Sequence, residues 1–287
     1  MKALIDADIL VYRGGFSAEH THYRIYLEGE EDYGYIATFP SKKECNEYLK
    51  EYYPDGGIII EPYVEIESLN NALSNTRNII EAIFDATETN SYQLYLTGDG
   101  NYRESLVDCY KMNRKDSRKP HWYTEIREYL INNWGAEVVD GCEADDAMGI
   151  AQYVYWNELA PDTELNKAGA HTIICTLDKD LNMIPGWHYN WVNQEKYWVT
   201  EDEATLFYYT QLLTGDSTDN IAGVPKCGPA KARKILEGAT TEYDMYSRCL
   251  KAYEEAYPSL GYVKLKENAD LLWILREEQQ LWLPPGI

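Results

Sequence analysis

Nine acids fall where a shared metal site needs them. Asp6 directly follows Leu4 and Ile5, Asp99 follows Leu94, Tyr95 and Leu96 by way of Thr97 and Gly98, and Asp178 follows Ile173, Ile174 and Cys175 by way of Thr176 and Leu177. Each apolar run reads as a strand, so three strands deliver an acid just past the carboxyl end, the edge where open α/β sheets bind ligands. Glu143, Asp145 and Asp146 form a second group, Asp216 and Asp219 a third, and Asp180 stands two residues after Asp178. Acids three apart share one face of a helical turn. Taken singly, such acids have a plainer account, since carboxylates at helix starts cap free amides and complement the helix dipole. Taken together, they have a cost: two carboxylates about 4 Å apart repel by roughly 4 kcal/mol at an effective dielectric near 20. Seven or more in one pocket require a cation.

Oxygen donors without cysteine or histidine select Mg²⁺ or Mn²⁺ over zinc. Two such ions about 3.5 to 4 Å apart can hold a phosphate, turn a bound water into hydroxide and stabilise the departing oxygen, which is the chemistry of phosphodiester hydrolysis. Positive charge is available nearby: residues 103–119 hold Arg103, Lys111, Arg114, Lys115, Arg118 and Lys119. Lys111 or Arg114 could offset charge building on the phosphate oxygens. A second basic stretch, Lys226, Lys231, Arg233 and Lys234, accompanies Gly223 and Gly228, with Pro229 suited to the first position of a helix. Free amides at such a helix start cradle phosphate without reading sequence. The plainer readings are a solvated basic face and a glycine-broken turn that packs two helices.

The elements that must position these residues alternate. Strands at 3–5, 94–96, 138–139, 173–175 and 189–192, with amphipathic segments between several of them, predict βα units around a mostly parallel sheet. Residues 23–27 and 35–39 alternate like a hairpin, and Ser41 with Glu44 opens a helix through about Tyr52. Residues 15–65 read as an insertion before a helix at 69–86. After Thr200 the chain reads as helical, with breaks near Gly215, Gly223, Gly238 and Pro258. The expected division is a sheet-containing domain over 1–200 and a helical domain over 201–287.

Composition narrows the classes. A net charge of −22 over 287 residues excludes binding to nucleic acid by bulk positive charge, so any such contact is local. No run of about 18 apolar residues occurs, and Asp6 interrupts any secretory core, so a cytoplasmic protein is expected. The six cysteines form no Cys-x-x-Cys pair and do not cluster with the five histidines, which reads as reduced thiols rather than a disulfide framework or a zinc site.

In order along the chain, Leu4, Ile5 and Asp6; Thr97, Gly98 and Asp99 leading to Arg103 and Glu104; Tyr110, Lys111, Met112, Asn113 and Arg114; Glu143, Ala144, Asp145 and Asp146; Thr176, Leu177, Asp178, Lys179 and Asp180; and Gly215, Asp216, Ser217, Thr218, Asp219 and Asn220 resemble the motifs of the 5′-nuclease superfamily, closest to the stand-alone phage 5′→3′ exonucleases. The resemblance implies a PIN-like, resolvase-like α/β sheet followed by a helical domain with a helix-three-turn-helix motif. It implies that Asp6, Asp99, Glu143, Asp145, Asp146, Asp178, Asp180, Asp216 and Asp219 form the metal site, served by Arg103, Tyr110, Lys111 and Arg114, with Tyr110 stacking on a base. A helical arch at about 111–125 would carry Lys115, Arg118 and Lys119. Gly223, Val224, Lys226, Gly228, Lys231, Arg233 and Lys234 would meet DNA, with K⁺ at the hairpin over 223–228. Ala7 stands where the family often has glycine, and residues 34–67 lack a counterpart in the polymerase-linked members, which leaves the insertion over 15–65 without an assigned role.

The expected activity is a monomeric, divalent-metal-dependent 5′→3′ exonuclease or flap endonuclease acting on DNA with a free 5′ end. The alternatives are removal of RNA primers from an RNA–DNA hybrid, and a non-catalytic DNA-structure-binding protein. The second would show at least one replaced acid, and Asp6, Asp99, Asp178 and Asp216 all stand.

Overall fold

β1 (Lys2–Asp6) and α1 (Ala7–Phe16) open the chain. Three strands and a helix follow: β2 (Glu19–Leu27), β3 (Ala37–Phe39), α2 (Lys42–Tyr52) and β4 (Ile58–Ile66). Next come α3 (Leu69–Thr87), β5 (Ser91–Thr97), α4 (Arg103–Leu106), α5 (Tyr123–Trp134), β6 (Glu137–Val139), α6 (Ala144–Trp156) and α7 (Glu164–Gly169). β7 (Thr172–Cys175), β8 (Gly186–Asn190) and β9 (Glu195–Val199) complete the strands of the main sheet. The chain ends in α8 (Glu201–Thr214), the two-residue strands β10 (Gly215–Asp216) and β11 (Ile221–Ala222), then α9 (Pro229–Leu236), α10 (Glu242–Ala256) and α11 (Gly261–Leu272). This computed structural model describes residues 1–29, 34–114, 117–156 and 164–286.

Two compact units are present, one of residues 1–10, 79–118 and 129–287, the other of residues 11–78 and 119–128. The first holds the main sheet, ordered β6, β5, β1, β7, β8, β9, with every neighbour parallel except β8 and β9. β1 sits between two parallel partners, and its Ala3, Leu4 and Ile5 are buried. A strand covered on both faces reads as a continuous apolar run, which is why 3–5, 94–96 and 173–175 were recognisable. The expected strand at 189–192 is displaced: β8 ends at Asn190, whose side-chain oxygen accepts from the amides of Val192 and Asn193 and so turns the chain into β9.

One apolar core joins sheet and helices in this unit, running from Leu4, Tyr95 and Ile174 through Tyr208, Tyr209 and Leu212 of α8 to Tyr253, Leu265 and Trp282. Residues 201–287 therefore share a core with the sheet, and the boundary expected at residue 200 does not separate compact units. Thr200 starts α8 with a full capping box, its hydroxyl accepting from the Glu203 amide while the Glu203 carboxylate accepts from the Thr200 amide.

The second unit contains most of the stretch expected as an insertion. β2 pairs antiparallel with β3 and β4, Tyr23 facing both Phe39 and Pro62. Ser41 caps α2 as expected, its hydroxyl accepting from the Glu44 amide. β4 was not expected: its run of three isoleucines favours a strand, and Pro62 is tolerated because β4 is an edge. Among the described residues of the stretch expected as a helical arch, α-helix begins only at Tyr123. Met112–Arg114 form a short 3₁₀ turn, residues 117–120 are irregular, and Lys115 lies outside the described residues.

Candidate active site

The carboxyl edge of the main sheet gathers the acids. Asp6, the last residue of β1, is buried; one carboxylate oxygen accepts from the Ile9 amide at 3.1 Å and the other from the Thr176 hydroxyl at 2.9 Å. Burial, then Asp8, and to a smaller extent Asp178 push its carboxyl up to about 7. Asp178, after β7, caps the following 3₁₀ turn by accepting from the Asp180 amide at 2.8 Å, and its own amide donates to Thr176. Asp145, in the first turn of α6, is held well above the usual carboxylate range by burial and by Asp6, Asp178 and Glu143. Three elements distant in sequence thus bring Asp6, Asp145 and Asp178 within electrostatic reach of one another.

A second set of carboxylates adjoins it. The Gln211 amide of α8 donates to Asp180 at 2.9 Å and to Asp216 at 3.3 Å. Burial, Asp178 and Asp216 raise Asp180 to about 7. Asp216 stays below the usual range: burial opposes this, but the Thr218 amide, donating at 2.7 Å, and Asp180 favour its charged form.

The basic residues meet the acids directly. Lys111 has a left-handed backbone, φ 51°, and its amide donates to the Asp219 carbonyl. Its ammonium lies 2.6 Å from Glu143 and 3.5 Å from Asp219, while Arg114 lies 2.9 Å from Asp219. Asn113 and Arg114 also donate to the carbonyls of Ser217 and Thr218, pinning this segment on the loop between β10 and β11. Glu143 is held below the usual range: burial would raise it, but Lys111 and Arg103 outweigh that, and Asn101 and Tyr110 donate to the same oxygen at 2.7 and 3.1 Å. Burial raises Asp219 despite Lys111 and Arg114.

Several expected roles are corrected. Asp146 and Arg103 are buried and bonded to each other, and two backbone amides, of Glu143 and Leu275, also donate to Asp146. Their charges are consumed within the fold, so neither faces the site. Tyr110 is packed into the apolar core with its hydroxyl on Glu143, which leaves no free ring face for a base. Asp99 does stand past β5, but its carboxylate is exposed and outside the network; Asp140, which accepts from the Asp99 amide at 2.9 Å, orders that loop instead.

The hairpin at 223–228 is built on close backbone approach. A Cβ on Gly223 would lie 2.3 Å from the Gly215 nitrogen and 2.4 Å from the Leu213 carbonyl oxygen. Val224 is buried, its amide on that same carbonyl, and is a core residue rather than a DNA contact. Gly228 caps α9 and has open space around it. Lys226, Lys231, Arg233 and Lys234 are exposed. Arg118 and Lys119 are exposed too, the ammonium of Lys119 lying over the Tyr123 ring at 4.4 Å.

Sequence reasoning missed Asp8, Asn101, Thr176 and Gln211. The spacing Asp6, Asp8 and Thr176, Asp178 was a usable signal, because side chains two apart can serve each other's backbone or charge. Nothing local marks Gln211, which reaches the acids only through the packing of α8.

Among the described residues, no group of three or more histidine, cysteine, aspartate or glutamate side chains stands at metal-ligand spacing. The donor chemistry nevertheless fits a hard divalent ion: the acids gathered at the sheet edge offer carboxylate oxygens, and the burial of Asp6 and Asp145 and their repulsion are relieved by either a proton or a cation. No helix among the described residues is long and apolar enough to cross a membrane.

No family model matches the chain. It is 30% identical over 140 residues to an exodeoxyribonuclease of Enterobacteria phage T3, covering 47% of this chain and 43% of that protein. It is 28% identical over 221 residues to a 5′-3′ exonuclease of Buchnera aphidicola, covering 70% and 66%, and 25% identical over 183 residues to the flap endonuclease Xni of Shewanella oneidensis, covering 59% and 62%. The chain thus spans between about two fifths and two thirds of the length of these relatives. The chain, whose acids converge at the carboxyl edge of a parallel sheet, is thus similar in sequence to two exonucleases and a flap endonuclease.

Proposed function

We propose that this chain hydrolyses DNA phosphodiester bonds at or near free 5′ ends, as a structure-specific 5′→3′ exonuclease with flap endonuclease activity, using two Mg²⁺ or Mn²⁺ ions. One observation carries the proposal: Asp6 of β1 and Asp178 of the turn after β7 both raise Asp145 of α6, beside Glu143, to which Lys111 is tethered while Arg114 is tethered to Asp219. Asp6, Asp145 and Asp178, with Glu143, Asp180, Asp216 and Asp219 around them, would hold the metal. A bound divalent ion supplies an activated water and neutralises charge on the departing oxygen.

The remaining work falls to the chain itself. Thr176 and the Ile9 amide fix Asp6, and Gln211 fixes Asp180 and Asp216, so the acids are positioned before substrate arrives. Lys111 and Arg114 place two positive charges beside the acids, where they would offset charge building on the phosphate. Tyr110 and Asn101 keep Glu143 aimed at Lys111. Duplex backbone would lie along the amides at the start of α9 and along Lys226, Lys231, Arg233 and Lys234. A K⁺ bridging that hairpin and a phosphate, and a monomeric working state, belong to the same reading; their support is the order of the sequence motifs.

The deciding experiment is cleavage of 5′- and 3′-labelled flap, nicked, blunt and RNA-primed duplexes with and without Mg²⁺. Metal-dependent products from the 5′ end are expected, mononucleotides for exonuclease action and longer fragments at flaps. Cleavage unaffected by chelation, or none on any substrate, overturns the proposal.

A further inference from the structure

The cleft beside Asp178 has no role in the mechanism above, and we infer that it is a nucleobase pocket that takes the 5′-terminal base of the bound strand and favours guanine. The inference rests on the nuclease reading, since it names what that same site selects. About 270 Å³ in volume, the cleft is lined by Asp178 and Lys179 after β7, Asn182 from the next turn, and Asn190, Glu195 and Tyr197 from the hairpin of β8 and β9. A cleft of that volume has room for a nucleobase.

Pairing of Asn190 with Glu195 and of His188 with Tyr197 puts these side chains on one face of the hairpin. The amide side chains are already oriented. The Asn190 oxygen accepts from the amides of Val192 and Asn193 at 3.1 and 3.0 Å, and the Asn182 oxygen accepts from the Tyr197 hydroxyl at 2.8 Å. Both oxygens are used, which leaves both Nδ2 groups as donors. Tyr197 is held flat against His188, with ring centroids 5.4 Å apart and planes 17° apart.

Charge decides between phosphate and base. With Asp178 given to the metal, Glu195 balances Lys179 in the lining, so the cleft offers no net positive charge to a phosphate, whereas a neutral base with N–H donors meets a matching carboxylate. Guanine alone offers two adjacent donor groups, N1–H and N2–H₂, for the Glu195 carboxylate, together with the acceptors O6 and N7 for Lys179 and the two amides. Cytosine and adenine offer one amino group, thymine one imino group. A base at a strand end is cheap to unstack into such a pocket.

The test compares kcat/KM on duplexes identical except for the 5′-terminal base, using wild type, N190D, N182D and E195Q. N190D keeps the oxygen that holds the turn, and N182D keeps the acceptor for Tyr197, so each removes a donor without loosening the hairpin. The wild type should favour a dG end over a dT end by about tenfold or more, and E195Q should bring that ratio to within about twofold of unity. A flat wild-type ratio, or one that no variant moves, overturns the inference. Calorimetric titration with deoxyguanosine and thymidine monophosphates separates the two readings. If no duplex is cut, the nuclease reading falls, while tighter guanosine binding lost in E195Q still supports the pocket and equal binding of both nucleotides overturns it.

Discussion

Arg103 and Asp146 lock together through two hydrogen bonds of 2.6 and 2.8 Å. The guanidinium also donates to the Leu271 carbonyl, and Asp146 accepts from the Leu275 amide, so the pair ties α4 and α6 to the end of α11 and the segment after it. Removing one partner strands the other as a buried charge, which typically costs about 3–5 kcal/mol. Arg103→Ala and Asp146→Ala should each lower the free energy of urea unfolding by about that amount. An Asp146→Ala protein as stable as wild type but inactive would return Asp146 to the metal-binding acids.

Asp145 is the opposite case, a carboxylate that the fold holds against its own preference. Asparagine keeps its size and removes the repulsion from Asp6 and Asp178. In the absence of metal, Asp145→Asn should melt above wild type, by about 2–4 °C for each 1 kcal/mol relieved, while cleavage falls by roughly a hundredfold or more. Saturating Mg²⁺ at about 100 times its dissociation constant should add about 2.7 kcal/mol to the wild type and less to the variant. A melting temperature that ignores Mg²⁺ in both proteins would remove the metal site.

What could be read in advance divides along physical lines. The apolar runs ending in Asp6 and Asp178 were legible because strands buried on both faces leave an unbroken signature and the sheet edge then locates the acid. Which acids remain available was not legible. Asp146 has the spacing of a ligand, and only the arrival of Arg103 in three dimensions consumes it. Tyr110 reads as a stacking ring until the core closes over it. Asp99 follows a strand like the other acids, and only the loop geometry after β5 leaves it exposed with its amide donating to Asp140. β4 escaped notice because three isoleucines before Glu61 and Pro62 match no clean alternation.

Gly223 and Gly228 should behave differently, although both belong to the hairpin. Alanine at 223 forces its Cβ into the backbone at Gly215 and Leu213, so a loss of about 1–3 kcal/mol is expected, with weaker DNA binding as a consequence. Alanine at 228 meets nothing within 4 Å. Gly228→Ala should keep its melting temperature, and any loss of DNA affinity would come from obstructing the amides at the start of α9. Equal destabilisation by both substitutions would contradict this geometry.

Because the chain carries a net charge of −22, its DNA affinity depends on a few local cations. Lys231 lines a cleft with Lys226 and Lys251 beside the hairpin. Each phosphate contact contributes about 0.9 to the slope of log affinity against log salt. Lys231→Ala should therefore flatten that slope by about one and weaken binding equally for all sequences, as fluorescence anisotropy across a salt series would register. An unchanged slope would place Lys231 off the DNA path.

His188 offers a measure of the sheet itself, separate from the acids. It is buried with Nε2 bonded to the Ile184 carbonyl, and burial lowers its value to about 4 from the usual 6.5. The folded protein therefore refuses a proton that the unfolded chain accepts once the pH drops below about 6.5. Stability linked to this residue is intact above 6.5 and is lost progressively down to about 4, for a total of about 3 kcal/mol. Glutamine can still donate to the Ile184 carbonyl and has no proton to gain. Chemical denaturation between pH 7 and 4 should show a shallower decline for His188→Gln than for wild type, by up to about 3 kcal/mol at the acid end. Identical pH profiles would mean that His188 already takes up its proton within the fold, and that the strand pair of β8 and β9 opens to water around it.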